Sequence, residues 1–92
     1  MNRVKAYEEI EAELRRWQQM PWEHFARFIG GPPVVAEITP PEGRMLIETR
    51  ITREEDGSLR IHVCASSLSS FRLERIEESA ARRRETSESE PR

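Results

Sequence analysis

The chain reads as a small α+β domain, a two-layer sandwich in which N-terminal helices and a C-terminal helix pack on a three-stranded antiparallel meander. Three observations predict it. Residues 45–66 alternate apolar and polar side chains with period two around an Asp-Gly turn, residues 4–19 repeat apolar side chains at spacings of three and four, and five of the six Phe, Trp and Tyr residues fall between Tyr7 and Phe28. The first pattern makes a hairpin with one apolar face, and the other two supply a helical layer to cover it.

The hairpin carries the strongest signal. Met45, Ile47, Thr49 and Ile51 alternate with Leu46, Glu48, Arg50 and Thr52, and Leu59, Ile61, Val63 and Ala65 alternate with Arg60, His62, Cys64 and Ser66. A three-residue loop of Glu55, Asp56 and Gly57, with the glycine left-handed, sets Glu54 opposite Ser58, Ile51 opposite Ile61, Thr49 opposite Val63 and Ile47 opposite Ala65. A slip of one residue turns one strand's apolar side to water, so the buried face fixes the register.

Val4 to Gln19 is predicted as an amphipathic helix with Asn2 as its cap and Val4, Tyr7, Ile10, Leu14 and Trp17 as its apolar stripe. Pro21, at the first helical position, opens a second helix to Ile29 that carries Trp22, Phe25, Phe28 and Ile29 and stops at Gly30-Gly31. Gly30-Gly31-Pro32-Pro33 is a loop without the lysine and hydroxyl residue of a phosphate-cradling loop. Val34 to Thr39 is a first strand, with Val34, Ala36 and Ile38 on one side, joined by Pro40-Pro41-Glu42-Gly43 to the hairpin. That short link makes it antiparallel to its neighbour.

After a serine-rich corner at residues 66–70, the pattern is ambiguous. Leu73, Ile76 and Ala80 recur at helical spacing among strong helix formers, which predicts a helix from about Ser70 to Arg84. A fourth strand over residues 71–77 is the alternative. The order α-β-β-β-α also occurs in double-stranded RNA-binding modules, but Phe71-Arg72-Leu73-Glu74 stands where their last helix begins with lysines. The domain is expected to end near residue 84, with 85–92 a disordered polar tail.

Composition narrows function by exclusion. The net charge of -2 gives no field to draw in nucleic acid or an anionic membrane. Cys64 is the only cysteine, so an internal disulfide and a thiolate metal cluster are both out of reach. The two histidines lie on separate elements, and His24 has no ligating residue within a turn beyond the adjacent Glu23, which points elsewhere on a helix. No apolar run approaches transmembrane length, and a cytoplasmic protein without cofactor, metal or catalytic residues is the expectation.

Candidate functional residues therefore lie on surfaces. The sheet's outward side gathers Val35, Glu37, Leu46, Glu48, Arg50, Arg60, His62 and Cys64, an apolar centre with a charged rim such as a modest protein interface has, and Trp22 is a further candidate on the second helix. The leading expectation is a non-enzymatic interaction or regulatory module whose partner is another protein or a second copy of itself. The competing one is an RNA- or DNA-binding accessory protein using Arg50, Arg53, Arg60, Arg72, Arg75, Arg82, Arg83 and Arg84. The run Arg82-Arg83-Arg84 also suits the end of a helix, where cations favour the helix dipole. The third strand is expected to leave an open edge over residues 59–66.

Overall fold

The computed structural model describes residues 3–38, 44–68 and 73–82. Two helices, α1 (Arg3–Gln19) and α2 (Trp22–Ala26), precede four strands, β1 (Val34–Ile38), β2 (Met45–Arg53), β3 (Leu59–Leu68) and β4 (Leu73–Arg82). The strands form one antiparallel sheet in chain order. Helix α1 lies across β3 and β4 and reaches β2 at its edge, which leaves the opposite face of the sheet without a layer among the described residues.

The hairpin register is the one that the alternation demands, with Ile51 opposite Ile61, Thr49 opposite Val63 and Ile47 opposite Ala65. The Glu54 amide donates to the Ser58 carbonyl at 2.8 Å and the Gly57 amide to the Glu54 carbonyl at 3.1 Å. Gly57 has φ 90°, a conformation that a side chain resists. Asp56 secures the turn by accepting from the Ser58 amide and hydroxyl. Strand β1 adds antiparallel to β2, Ala36 opposite Ile47, and puts Val34, Ala36 and Ile38 on the helix side, as expected.

The C-terminal segment departs from the expectation. It is a fourth strand, not a helix, and it pairs with all of β3 from Leu59 opposite Arg82 to Leu68 opposite Leu73. The expected open edge at residues 59–66 is therefore covered, and Ser66 and Ser67 continue β3 instead of making a corner. Helix propensity here amounts to a few tenths of a kcal/mol per residue. Ten residues of ladder hydrogen bonds along a central apolar strand outweigh it, and period two puts Ile76, Ala80 and Arg82 over the core. The connection at residues 40–43, Phe71, the Asn2 cap and the tail from residue 83 lie outside the described residues.

Helix α1 also turns a different face inward than the aromatic stripe suggests. Ala6, Ile10 and Trp17 are buried, Leu14 is partly so, and Val4 and Tyr7 are 70% and 40% exposed. At about 100° per residue Ala6, Ile10 and Trp17 fall within about 40° of one another, whereas Tyr7 and Val4 lie roughly 80° and 140° away. Small Ala6 allows close approach to the sheet. Glu13 shares that face because its carboxylate has partners: Oε2 accepts from Trp17 Nε1 at 2.8 Å and from the buried Thr49 hydroxyl at 3.3 Å, and Oε1 from Arg16 at 2.6 Å. A polar pair inside the helix–sheet layer is thereby satisfied.

Pro21 caps α2 with its carbonyl, which accepts from the Phe25 amide at 2.9 Å, and so stands one place before the first helical residue. The helix stops at Ala26, short of Ile29, because Ile29 and Gly30 leave it to meet β2. Ile29 bridges Ile51 in parallel, and the Gly30 amide donates to the Ile51 carbonyl at 3.2 Å. Gly30, at φ 71°, makes the turn into β1. Phe25 and Trp17 are buried with Ile47, Ile51, Leu59, Ile61 and Val63 in one core.

Ile61, fully buried at the centre of that core, tests the packing. Ile61→Ala is expected to lower stability by about 2–5 kcal/mol in urea titration. A loss under about 0.5 kcal/mol would place Ile61 outside the core.

Candidate functional site

Strand parity distributes the charged side chains of the sheet in rows. Across the uncovered face run Glu37, Leu46, Ser66 and Arg75, then Val35, Glu48, Cys64 and Glu77, then Arg50, His62 and Ser79, and last Thr52, Arg60 and Ala81. Eight of the nine residues singled out on the sequence as a protein-binding set are thus on one surface. Trp22 is not among them. It lies half-buried on the helical side, its ring 5.6 Å from that of Phe25, and belongs to the packing of α2.

Val35 and Leu46 are 54% and 42% exposed. Val35 faces Glu48 and Leu46 faces Glu37, so the two aliphatics are diagonal neighbours within contact reach. Glu37 bonds Arg44 at 2.9 Å beside them. On the far side of the face Arg60 reaches Glu54 at 3.1 Å and the Ser79 hydroxyl at 3.1 Å.

Between these lies a shallow depression lined by Pro33, Glu48, Arg50, His62, Cys64, Arg75 and Glu77. Its cavity volume of about 30 Å³ holds one or two waters. Cys64 is 6% exposed, because Arg75 extends across it and donates from Nε to Sγ at 3.2 Å. That hydrogen bond and the electrostatic attraction of the sulfur, then the carboxylates of Glu77 and Glu48, hold the Arg75 guanidinium above its usual range against a slight desolvation. Arg75 is a fixed positive charge at every physiological pH. His62 Nε2 pairs with the Thr52 hydroxyl at 2.9 Å. The Cys64 sulfur is thus engaged by Arg75 and the His62 Nε2 by Thr52.

Of the five described arginines of the nucleic-acid reading, three share a face and two do not. Arg50, Arg60 and Arg75 are on the uncovered face among Glu37, Glu48 and Glu77, and Arg53 is at the turn end of β2 opposite Leu59. Arg72, Arg83 and Arg84 lie outside the described residues. Arg82 faces the core and is 5% exposed. Its Nη1 donates to the Trp17 carbonyl at 2.6 Å, and its Cζ stands 4.5 Å from the Phe25 ring and 5.6 Å from the Trp22 ring. The expectation that the run ends a C-terminal helix is overturned, because Arg82 is the last residue of strand β4; its guanidinium meets the C-terminal turn of α1 instead. Sequence reading misses this because an arginine in a basic run looks like a solvated charge, and only its parity with Ile76 and Ala80 marks it as inward.

No group of three or more potential metal-ligating side chains occurs among the described residues, and none of their helices is long and apolar enough to cross a membrane. No protein-family model matches the chain, and comparison with curated proteins and with solved structures finds no match. What the fold defines is its class, an α+β domain with helices on one side of a four-stranded meander.

Arg82 is the side chain here whose removal has the clearest expected cost. Arg82→Met, which keeps the aliphatic stem but not the guanidinium, is expected to lose about 1–3 kcal/mol through the carbonyl bond and the two ring contacts. Arg82→Lys is expected to recover less than half of the loss, since a point charge cannot both stack and donate along a plane. Equal stability of Met and wild-type proteins in urea denaturation would contradict the assignment.

Proposed function

We propose that this chain is a small, non-enzymatic protein-interaction module that docks a protein on the uncovered face of its sheet, with Val35 and Leu46 as an apolar anchor at the β1 side and Glu37, Glu48, Arg50, Arg60, His62 and Arg75 extending from it across the face. The observation that carries this reading is the pair of exposed aliphatics on adjacent strands of a face that no layer covers among the described residues. Scattered exposed aliphatics need no explanation, but two within contact reach, with the Glu37–Arg44 pair and Glu48 beside them, have the composition of an interface core and rim. Charges of both signs alternate over the rim. Such a surface selects a partner by matching its pattern and adds little attraction of its own.

Size sets the expected strength. Strands about 4.8 Å apart with a rise of about 3.3 Å per residue make a face on the order of 500 Å², less than the roughly 800 Å² per partner of a standard complex. A transient association is the corresponding regime. Nucleic acid is the weaker reading because Arg82 is committed to the core, the arginines of the face are interleaved with carboxylates, and Trp17, Trp22, Phe25 and Phe28 pack on the opposite side. That arrangement supports neither a phosphate track nor a stacking platform.

Affinity capture with the intact chain, compared with Leu46→Glu and Val35→Glu chains of equal thermal stability, tests the proposal. A protein retained by the first and reduced at least about tenfold by either substitution is the expected result, a charge in place of an apolar anchor costing about 1.4 kcal/mol or more. Retention that ignores both substitutions would falsify the site. Steeply salt-dependent binding to mixed nucleic acid, lost on replacing Arg50 and Arg60, would replace the proposal with its competitor.

A further inference from the structure

We infer that β1 is the strand through which two copies of this chain join, in antiparallel pairing about a two-fold axis at Ala36. The two edges of the sheet are not alike. Along its length β4 carries Glu74, Arg75, Glu77, Glu78 and Arg82, and Glu74 and Glu78 have the parity of the helix side, where a charge at a sheet edge discourages another strand from joining. Strand β1 reads Val-Val-Ala-Glu-Ile. It contains no lysine, proline or glycine, and Glu37 is its one charge, neutralised by Arg44 at 2.9 Å.

Cover is also incomplete at this edge. Ala36 has the parity of the core, opposite the buried Ile47, and is nonetheless exposed, with Val34 and Ile38 on either side of it only partly buried. Helix α1 lies toward β3 and β4, so among the described residues the apolar row of β1 lacks the layer that its neighbours have. A strand added outside β1 extends that row.

Self-complementarity identifies the occupant as a second copy. A two-fold normal to the sheet pairs residues of equal parity and keeps both helical layers on one side. Centred on Ala36, it sets Val34 opposite Ile38 of the second copy, Ala36 opposite Ala36, and Val35 opposite Glu37, and it engages all five residues of β1. Centred on Glu37 it would oppose two carboxylates, and centred on Val35 it would bring Pro33, which has no amide hydrogen, opposite Glu37. The Ala36 register is therefore the one with full overlap and no like-charge pair. The product is an eight-stranded sheet. Its uncovered face carries two pairs of Val35 and Leu46 flanking the axis, which doubles the surface assigned above to a partner.

Sedimentation equilibrium of the intact chain across micromolar concentrations measures this directly. The expected mass rises from 10.8 kDa toward twice that value as concentration increases. Ala36→Lys, at an exposed position but with two ammonium groups facing each other across the axis, is expected to remain at the monomer mass with unchanged circular dichroism. Ala36→Cys is the second measurement. Directly opposed antiparallel residues have Cα atoms about 4.5–5.5 Å apart, within disulfide reach, so mild oxidation of this variant should yield a covalent dimer while the parent, whose Cys64 is buried, yields none. A parent chain that stays monomeric into the high micromolar range overturns the inference. So does a dimer that persists in Ala36→Lys and does not cross-link in Ala36→Cys. Leu46→Glu is expected to leave the dimer intact, so loss of partner binding and loss of dimerisation report on the two proposals separately.

Discussion

The contact of Arg82 with the end of α1 ties the last described strand to the first helix. A guanidinium out of water is costly unless its donors and its π-faces are used, and here one donor meets the Trp17 carbonyl while the plane lies against Phe25 and Trp22. That carbonyl belongs to the last turn of α1, where the negative end of the helix dipole lies, and its other partner is the Met20 amide at a long 3.4 Å. One side chain therefore satisfies a helix terminus, fills the space between the two helices and holds β4 against β3. Helix α1 is thus held on β3 and β4 by this anchor at one end and by the buried Ala6 toward the other.

Within the layer between helix and sheet, the polar groups are few and connected. Thr49 is the buried hydroxyl of β2, and Glu13 reaches it from α1 while also taking the indole hydrogen of Trp17. These bonds orient Trp17 for its edge-on contacts with Phe25 and Phe28, at 6.1 and 5.0 Å between ring centres. The aromatic cluster and the polar contact are thus one arrangement: without Glu13 the indole hydrogen would face the core unpaired.

How much of this was legible in the sequence depended on whether local pattern and tertiary need agreed. In β2 and β3 they agreed, with β-branched residues alternating over eight positions and Gly57 at the one place that requires a left-handed residue, so strands, turn and register could all be read. In β4 they disagreed. Its inward positions are Glu74, Ile76, Glu78, Ala80 and Arg82, two apolar residues in five, because a strand at the border of the helical layer has to bury little. The same residues repeat at helical spacing in good helix formers, and propensity then points the wrong way. On α1 size and phase disagree: Tyr7 and Val4 look like core by size, whereas the interface runs through Ala6 and Glu13, whose fitness is visible only once Thr49 and the sheet are beside them. The uncovered face was legible as a set of positions, since parity alone assigns them, but the burial of Cys64 beneath Arg75 required the fourth strand and could not be read without it.

Stability should be graded across the sheet. Strand β3 is paired along both sides and lies under α1, whereas β1 has, among the described residues, one neighbouring strand, five paired residues and a core-parity alanine left exposed. Segments with few buried contacts and one-sided hydrogen bonding open at the lowest free energies. The bond from Gly30 to Ile51 and the Ile29 bridge hold the approach to β1 against β2, so that opening is confined to the strand itself. A second strand laid along β1 would satisfy its outward backbone groups and extend its apolar row at once. Pairing there would order the element that carries Val35, which couples the edge of the sheet to its uncovered face: whatever stabilises β1 also presents the aliphatic pair in a fixed geometry, lowering the entropy that a partner must overcome on binding.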